Sequence, residues 1–357
     1  MKREEINKYL GYKNMNIIDA MKKIDENAKG LLFIVDEQKR LLGTVTDGDI
    51  RRWIIKTGNL SGNISLIMND NPKFLYKKEI SFAQDRLKQY QISAMPVLNN
   101  VNKISDIIFA EYTVSDETQE IRDELKDIPI VIMAGGKGTR LYPYTKILPK
   151  PLIPIGDIPI MERIIDRFID FGANNFFVTV NYKKNMIISY FAEQDIDYDI
   201  RYIEEEAPLG TAGSLTLLEP KPDIPLFVTN CDVLIQADYE DIYQHHKDSG
   251  NDITMVVSLK NITIPYGVIN ANENGIISSI EEKPKMSYFV NTGMYVMNPN
   301  IIDEIPENCM YHMTDLVDKL MTENKKVGIY PISEDSFLDM GEFEEMRRME
   351  EQLEKKS

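Results

Sequence analysis

Residues 128–138 read IPIVIMAGGKG. An apolar, largely β-branched run stops abruptly at Gly135, Gly136 and Gly138. A strand that is apolar on both faces must be covered on both, which is the condition of a central parallel strand. Parallel strands need crossover connections, usually helices, so this run alone commits the chain to a layered α/β fold. Bare glycine backbone after the strand can approach a phosphate closely and aim several N–H groups at it. Arg140 adds a forked, charged donor. Lys150 sits in a PKP segment and is expected in extended, non-helical backbone, because the residue before a proline is pushed out of the helical region. The stretch therefore reads as a loop built to hold a triphosphate beside a second anion.

Strand-like and helix-like segments alternate beyond it: MERIIDRFIDFG, NNFFVTVNY, DYDIRYIE, PLFVTNCDV, DITMVVSL. That alternation predicts a doubly wound, Rossmann-like sheet with its site at the C-terminal ends of the strands. At 357 residues the chain has room for two or three domains. Charge separates them. Residues 1–127 hold 20 Lys+Arg and 20 Asp+Glu, whereas residues 128–357 hold 21 and 37, the whole net charge of −16. An acidic body argues against nucleic acid as a partner. Small anions remain admissible, because local cations dominate within a screening length of roughly 8–10 Å. No apolar run approaches the ~20 residues of a membrane helix, and MKREEINKYLGYKN lacks a signal-peptide core. The two cysteines, Cys231 and Cys309, give neither a disulfide framework nor zinc spacing. Cytoplasm is the expected location, with no membrane partner. His245, His246 and His312 show no metal spacing and read as surface helix. Cys231 reads as a buried strand residue.

The first third repeats itself. LLFIVD (31–36) and AMPVLN (94–99) are strand-like and 63 positions apart. The same offset relates RLLGTVTDGD (40–49) to KISDIIFAEY (103–112), and DAMKKIDENA (19–28) to FAQDRLKQYQ (82–91). Two copies of a helix–strand–strand module follow. This resembles a tandem CBS pair over residues 1–120, an α+β regulatory domain. The family's ribose-binding Thr and Asp fall on Thr46 and Asp49 in copy one, with Arg51 or Arg52 beside them. In copy two they fall on Phe109 and Tyr112, and Phe accepts no hydrogen bond. The resemblance implies at most one adenine-nucleotide site; the alternative is a ligand-free structural or dimerising platform. Residues 111–127 are polar and charged, and 121–127 read as the linker to a catalytic domain over 128–357.

GGKGTRL-x-P-x-T-x-x-x-PKPL (135–152) is not a P-loop, which needs G-x-x-x-x-G-K-[ST]. It resembles the signature of sugar-1-phosphate nucleotidyltransferases. EEEAPLGTAGSL (204–215), VTNCDVL (228–234), PYGVI (265–269), EEKP (281–284), NTGMYV (291–296) and FLDMGEFEE (337–345) look like further motifs of that family, in family order. The resemblance implies the family's fold and a nucleotidyl transfer to a hexose-1-phosphate. Arg140, Lys150 and Asp232 are then catalytic, and Asp232 and Asp339 are ligands for Mg²⁺. Ala134, Gly135, Gly136, Gly138, Thr139, Glu205, Gly210 and Thr211 contact the nucleotide. Gly267, Glu282, Lys283 and Asn291 contact the sugar.

Glu205 stands five residues before the glycine of PLG, where related enzymes read the base. A carboxylate there accepts both of guanine's adjacent donors, N1–H and N2–H₂, and favours GTP. CBS modules ahead of a guanylyltransferase-like domain resemble the bacterial glucosamine-1-phosphate guanylyltransferases that feed legionaminic acid synthesis. The alternatives are a mannose-1-phosphate guanylyltransferase, a glucose-1-phosphate thymidylyl- or uridylyltransferase, or a nucleotide-sensing regulator without catalysis. A homo-oligomer is expected. The family's long C-terminal β-helix or acyltransferase domain is not seen after EEMRRMEEQLEKKS, so a second acetyltransferase activity is not expected.

Overall fold

A computed structural model of the chain describes residues 3–27, 29–110 and 123–354. It divides into two compact units, Met1–Gln119 and Glu120–Ser357. Residues 111–122, which include the first two residues of the expected linker 121–127, lie outside the described residues. Leu125, inside the polar stretch, is fully buried in the second unit's core, and its N–H donates to Phe171 O at 3.1 Å. One leucine in an acidic run is enough to anchor the backbone there.

The first unit contains two similar three-stranded sheets. Leu10–Tyr12 pairs parallel with Leu31–Val35, which pairs antiparallel with Leu41–Thr46. Leu75–Tyr76, Ala94–Leu98 and Ile104–Phe109 repeat that pattern. Helices Ile17–Asn27 and Ala83–Tyr90 occupy the equivalent connections. The copies share a core, in which Leu10, Leu31, Phe33 and Val35 pack with Ala94 and Ile107. Backbone bonds from Leu41 N–H to Asn102 O and from Ile104 N–H to Lys39 O join them. Neither module alone encloses that apolar surface, which is why the repeat comes as a pair.

The second unit is built on a seven-stranded mixed sheet. Its strands are β1 (Ile130–Met133), β2 (Asn175–Val180), β3 (Asp199–Glu204), β4 (Leu226–Asn230), β5 (Ile253–Thr263), β6 (Lys285–Met297) and β7 (Val327–Ile332). The spatial order is β3-β2-β1-β4-β6-β5-β7. All neighbours run parallel except β6, which is antiparallel to both β4 and β5. Alternation along β1 shows why the strand is apolar throughout. Ile130 and Ile132 face one core layer with helix Ile160–Ile169, while Val131 and Met133 face the other with helix Met313–Thr322. The chain leaves β1 toward β2 and β3 on one side and later returns to lay β4 on the other. The reversal falls between β1 and β4, where open α/β sheets form their binding crevice.

Helix Tyr239–Ser249 lies on this sheet. Asp238 caps its first turn by accepting Asp241 N–H at 3.0 Å, and Gly250 ends it at φ 60°. The helix overturns one expectation. His246 is 1% exposed, with Nδ1 2.9 Å from Thr254 Oγ1 and Nε2 3.2 Å from Asn298 Oδ1. Both ring nitrogens find neutral partners inside, so the imidazole sits in the core rather than on the surface. Burial lowers its pKa from 6.5. The unfolded chain therefore binds the proton first as pH falls. This contribution to stability is intact above pH 6.5 and is lost as pH drops below it. Urea midpoints from pH 8 to 5 should show a steeper loss for the wild type than for a destabilised His246→Gln; parallel pH profiles would overturn the assignment.

Candidate active site

The loop after β1 begins with Ala134, whose N–H donates to Thr179 O at 3.0 Å in β2. Gly135 then passes directly over a carboxylate: a Cβ there would lie 2.6 Å from Glu205 Oε1. Gly136 is exposed and has open space where a side chain would project. Gly138 has φ +61°, and a Cβ would meet Thr145 Cγ2 at 2.9 Å and Lys150 Cβ at 3.1 Å. Glycine is thus required twice, for close approach at Gly135 and for backbone sign at Gly138. Thr139 and Arg140 continue into a single 3₁₀ turn, Thr139–Leu141. The Arg140 side chain is exposed and forms no ion pair among the described residues.

Lys150 differs from expectation. It opens a 3₁₀ turn, Lys150–Leu152, after extended Pro149. Proline is tolerated at the first positions of a helical turn because the missing N–H has no partner there in any case. The turn lets the ammonium reach across the switch point to form a close ion pair with Asp232, just beyond the end of β4. Both side chains are largely withdrawn from water, at 15% and 17% exposure.

Asp339 stands beside them. Strand Phe337–Asp339 pairs antiparallel with Val233–Ile235, setting Asp339 opposite Val233, and Met340 N–H donates to Asp232 O at 2.9 Å. Burial first, then the charge on Asp232, push the Asp339 carboxyl up to about 6. Burial also pushes the Cys231 thiol up to about 12, consistent with an inert buried residue. Among the described residues no three His, Cys, Asp or Glu side chains form a metal centre. Mg²⁺ commonly takes only one or two protein carboxylates, with phosphate oxygens and water completing the shell. The crowded Asp232–Asp339 pair fits that demand.

Glu205 is 8% exposed and accepts the Leu209 N–H on Oε2 at 3.2 Å. Burial raises its pKa, opposed by that backbone bond and by the hydroxyls of Thr179 and Ser214. Next to it, Gly210 approaches Tyr311 so closely that a Cβ would lie 2.5 Å from the Tyr311 carbonyl. That carbonyl accepts the N–H groups of Ala212 and Gly213, and the Thr211 hydroxyl accepts Met313 N–H at 3.0 Å. Sequence reasoning missed this role of Tyr311, because nothing in CMYHM signals a closure onto a distant glycine turn.

Gly267, Glu282 and Lys283 come together on a two-stranded hairpin, Gly267–Ala271 with Ile277–Glu282. A Cβ on Gly267 would lie 3.0 Å from Glu282 Oε2, and Lys283 N–H donates to Tyr266 O at 3.2 Å. No hydrogen bond or ion pair among the described residues ties Glu282 or Lys283 to the Lys150–Asp232 pair. Asn291 belongs to β6, where it donates to Tyr295 Oη at 2.6 Å and accepts Gly293 N–H at 3.0 Å. In the first unit Thr46 and Asp49 form a capping box on helix Asp47–Thr57. Thr46 N–H donates to Asp49 Oδ2 at 2.9 Å, and Asp49 N–H donates to Thr46 Oγ1 at 3.2 Å. Arg52 pairs with Asp49 at 2.6 Å and Arg51 pairs closely with Asp47. In the second copy, Phe109 packs on Tyr9 at 5.1 Å between ring centres; Tyr112 lies outside the described residues.

The electrostatic coupling is directly testable. Asp232→Asn removes the second-largest cause of the Asp339 shift and leaves burial in place. Carboxyl ¹³C titration should show Asp339 moving down from about 6 while staying above 3.8. An unmoved value would mean that the two carboxyls do not face each other.

The family model described as nucleotidyl transferase matches residues 129–356, and the CBS domain model matches residues 12–56. The mannose-1-phosphate guanyltransferase of Debaryomyces hansenii is 33% identical over 221 residues, which covers 59% of this chain and 60% of that protein. The Pichia angusta protein of the same name is 35% identical over 184 residues, covering 49% and 50%. The chain thus spans about half to three-fifths of the length of these relatives. The crystal structure of HddC from Yersinia pseudotuberculosis superposes with a TM-score of 0.50 at 24% identity, over 63% of this chain and 99% of that one. It shares the fold. With a model match covering well over half of its residues, the chain belongs to the nucleotidyl transferase family.

Proposed function

We propose that the chain transfers a guanylyl group from GTP to a hexose-1-phosphate, releasing a GDP-sugar and pyrophosphate. The observation that carries this reading is the Lys150–Asp232 ion pair, held beside Asp339 and the glycine loop at the switch point. A phosphate oxygen of the sugar-1-phosphate attacks the α-phosphorus of the triphosphate. The new P–O bond forms as the bond from the α-phosphorus to its bridging oxygen breaks, and that electron pair leaves with pyrophosphate. The nucleophile is already an anion, so no general base is required. The obstacle is bringing two polyanions together, which positioning and fixed charge overcome. In this assignment the glycine loop's N–H groups and Arg140 hold the β- and γ-phosphates. Lys150 holds the sugar phosphate and the α-phosphate, exchanging its carboxylate partner for them. Asp232 and Asp339 would hold Mg²⁺, which when bound would supply charge neutralisation on the phosphate oxygens.

Two features support guanine as the base: the names of the relatives, and a buried carboxylate at position 205. For the acceptor we favour glucosamine-1-phosphate, in the setting of legionaminic acid synthesis. CBS modules ahead of this domain resemble that arrangement, and Glu282 offers a carboxylate to an amine. Mannose-1-phosphate is the second reading, favoured by the relatives' names. Pyrophosphate release across four triphosphates and several hexose-1-phosphates tests both. No turnover with any pair would overturn the whole reading.

Glu205→Gln should lower kcat/KM for GTP by roughly 30- to 1,000-fold relative to UTP and dTTP, because a site built around a hydrogen-bonding group rejects a mismatched edge strongly. Equal losses for all three triphosphates would mean that the carboxylate supports Gly135 and Leu209 rather than reading the base.

The CBS pair is proposed to bind one adenine nucleotide at copy one, where Thr46 and Asp49 stand, and none at copy two, where Phe109 replaces the acceptor. Calorimetry with AMP, ADP and ATP should give one site per chain. Two equal sites, or none, would sink this.

A further inference from the structure

The loop after β2 carries a lysine that the chemistry above leaves without a role. Lys183 adopts φ 54° and ψ 32°, immediately before helix Lys184–Ala192. Left-handed backbone is uncommon for a residue other than glycine, and a lysine side chain has no short polar group to stabilise it locally. Such a conformation persists only where the surroundings hold it. Here they do. The Lys183 ammonium donates to Ile147 O at 2.7 Å and to Lys146 O at 2.9 Å. Its neighbour Tyr182 donates its hydroxyl to Thr145 O at 3.1 Å. Three consecutive carbonyls, from residues 145 to 147, are thus bound from one loop.

Those carbonyls end the short helical turn Tyr144–Ile147, where carbonyls have no intrahelical donor. The turn is coupled to the site in both directions along the chain. Upstream, Thr145 donates its hydroxyl to Gly138 O at 2.8 Å and fills the space beside Gly138. Downstream, three residues after Ile147, comes Lys150. Tyr182 N–H also lies 3.5 Å from Gly135 O. Fixing the 144–147 turn therefore fixes the loop's entry glycines against the lysine that meets Asp232.

We infer that Lys183 is a positioning residue for nucleotidyl transfer, acting through the 144–147 turn to hold Gly138 and Lys150 in register. The inference rests on the reading of residues 135–150 as the triphosphate-binding segment. The Lys183 charge serves the loop's carbonyls, and its left-handed backbone aims the side chain at them.

Three variants of the full chain separate this role from simple stability. Lys183→Met keeps the aliphatic stem and removes the donors. Lys183→Gly removes the donors and relaxes the backbone. Lys183→Arg restores donors. Lys183→Met and Lys183→Gly should each lose on the order of 10- to 100-fold in kcat/KM, mostly in kcat, as displaced catalytic groups do. Their Tm should stay close to wild type, and Lys183→Arg should recover most of the activity. Amide hydrogen exchange of peptides covering residues 136–150 should quicken in the first two variants, with residues 160–169 unchanged. Wild-type kcat/KM in Lys183→Met and Lys183→Gly, or unaltered exchange at 136–150, would overturn the inference. If the wild type itself transfers no nucleotidyl group, the functional reading fails. The exchange measurement still decides whether Lys183 holds the loop.

Discussion

Everything at the switch point depends on one charge pair. Lys150 and Asp232 are 82 residues apart in sequence and come from loops following different strands, yet their side chains meet where β1 and β4 diverge. A half-buried pair of this kind is a constraint as much as a contribution to stability. Removing one member leaves the other charged in poor solvent, at a cost that approaches the roughly 3–5 kcal/mol of fully buried pairs. The geometry around the pair follows from this. Gly138 must be glycine so that Lys150 can pass, Pro149 and Pro151 set the turn that presents it, and β4 must stop at Asn230 so that Asp232 stands clear of the ladder. The pair also keeps a cation and an anion ready to accept new partners.

The same logic governs the other buried ionisable groups. Asp339 is pushed up because it shares the crevice with Asp232. Glu205 is pushed up by burial under the glycine loop, and His246 is pushed down by burial in the core. Asp339 ends a strand and Glu205 follows one, whereas His246 lies within a helix, bonded to Thr254 and Asn298. Burial, and for Asp339 the neighbouring Asp232 charge, hold these carboxyls above their ordinary values. The buried histidine is a structural group, as its neutral partners on both ring nitrogens show.

Much of this was legible in the sequence. The order of strands and helices, the repeat at 63 residues and the glycine loop are all local signals, set by period, composition and turn chemistry. Lys150 as a 3₁₀ residue was not, since the PKP segment looks extended until the preceding proline is seen to end the extended part. His246 was not, because HH in a polar helix carries no mark of which imidazole turns inward. Leu125 was hidden for the same reason, as a single apolar residue in an acidic run has no period to reveal its face. Tyr311 and Lys183 act through carbonyls and backbone angles at long range. Side-chain identity in a lone sequence does not encode those contacts.

The distribution of charge completes the argument. The second unit carries the acidic excess of the chain, which opposes anionic reactants at distances where charges simply sum. Within the crevice the sum is replaced by placement. Lys137, Arg140, Lys146, Lys150, Lys183 and Lys184 all fall in the segments that leave β1 and β2 at the same end of the sheet. Of these, Lys150 is bound to a carboxylate of the site, Lys183 to loop carbonyls and Lys184 to Glu204, whereas Arg140 stays exposed without an ion pair among the described residues. The basic residues thus divide between those bound within the loops and those left exposed. At a few ångströms, where side chains are largely withdrawn from water as Lys150 and Asp232 are, the nearest fixed charges outweigh the distant, screened majority.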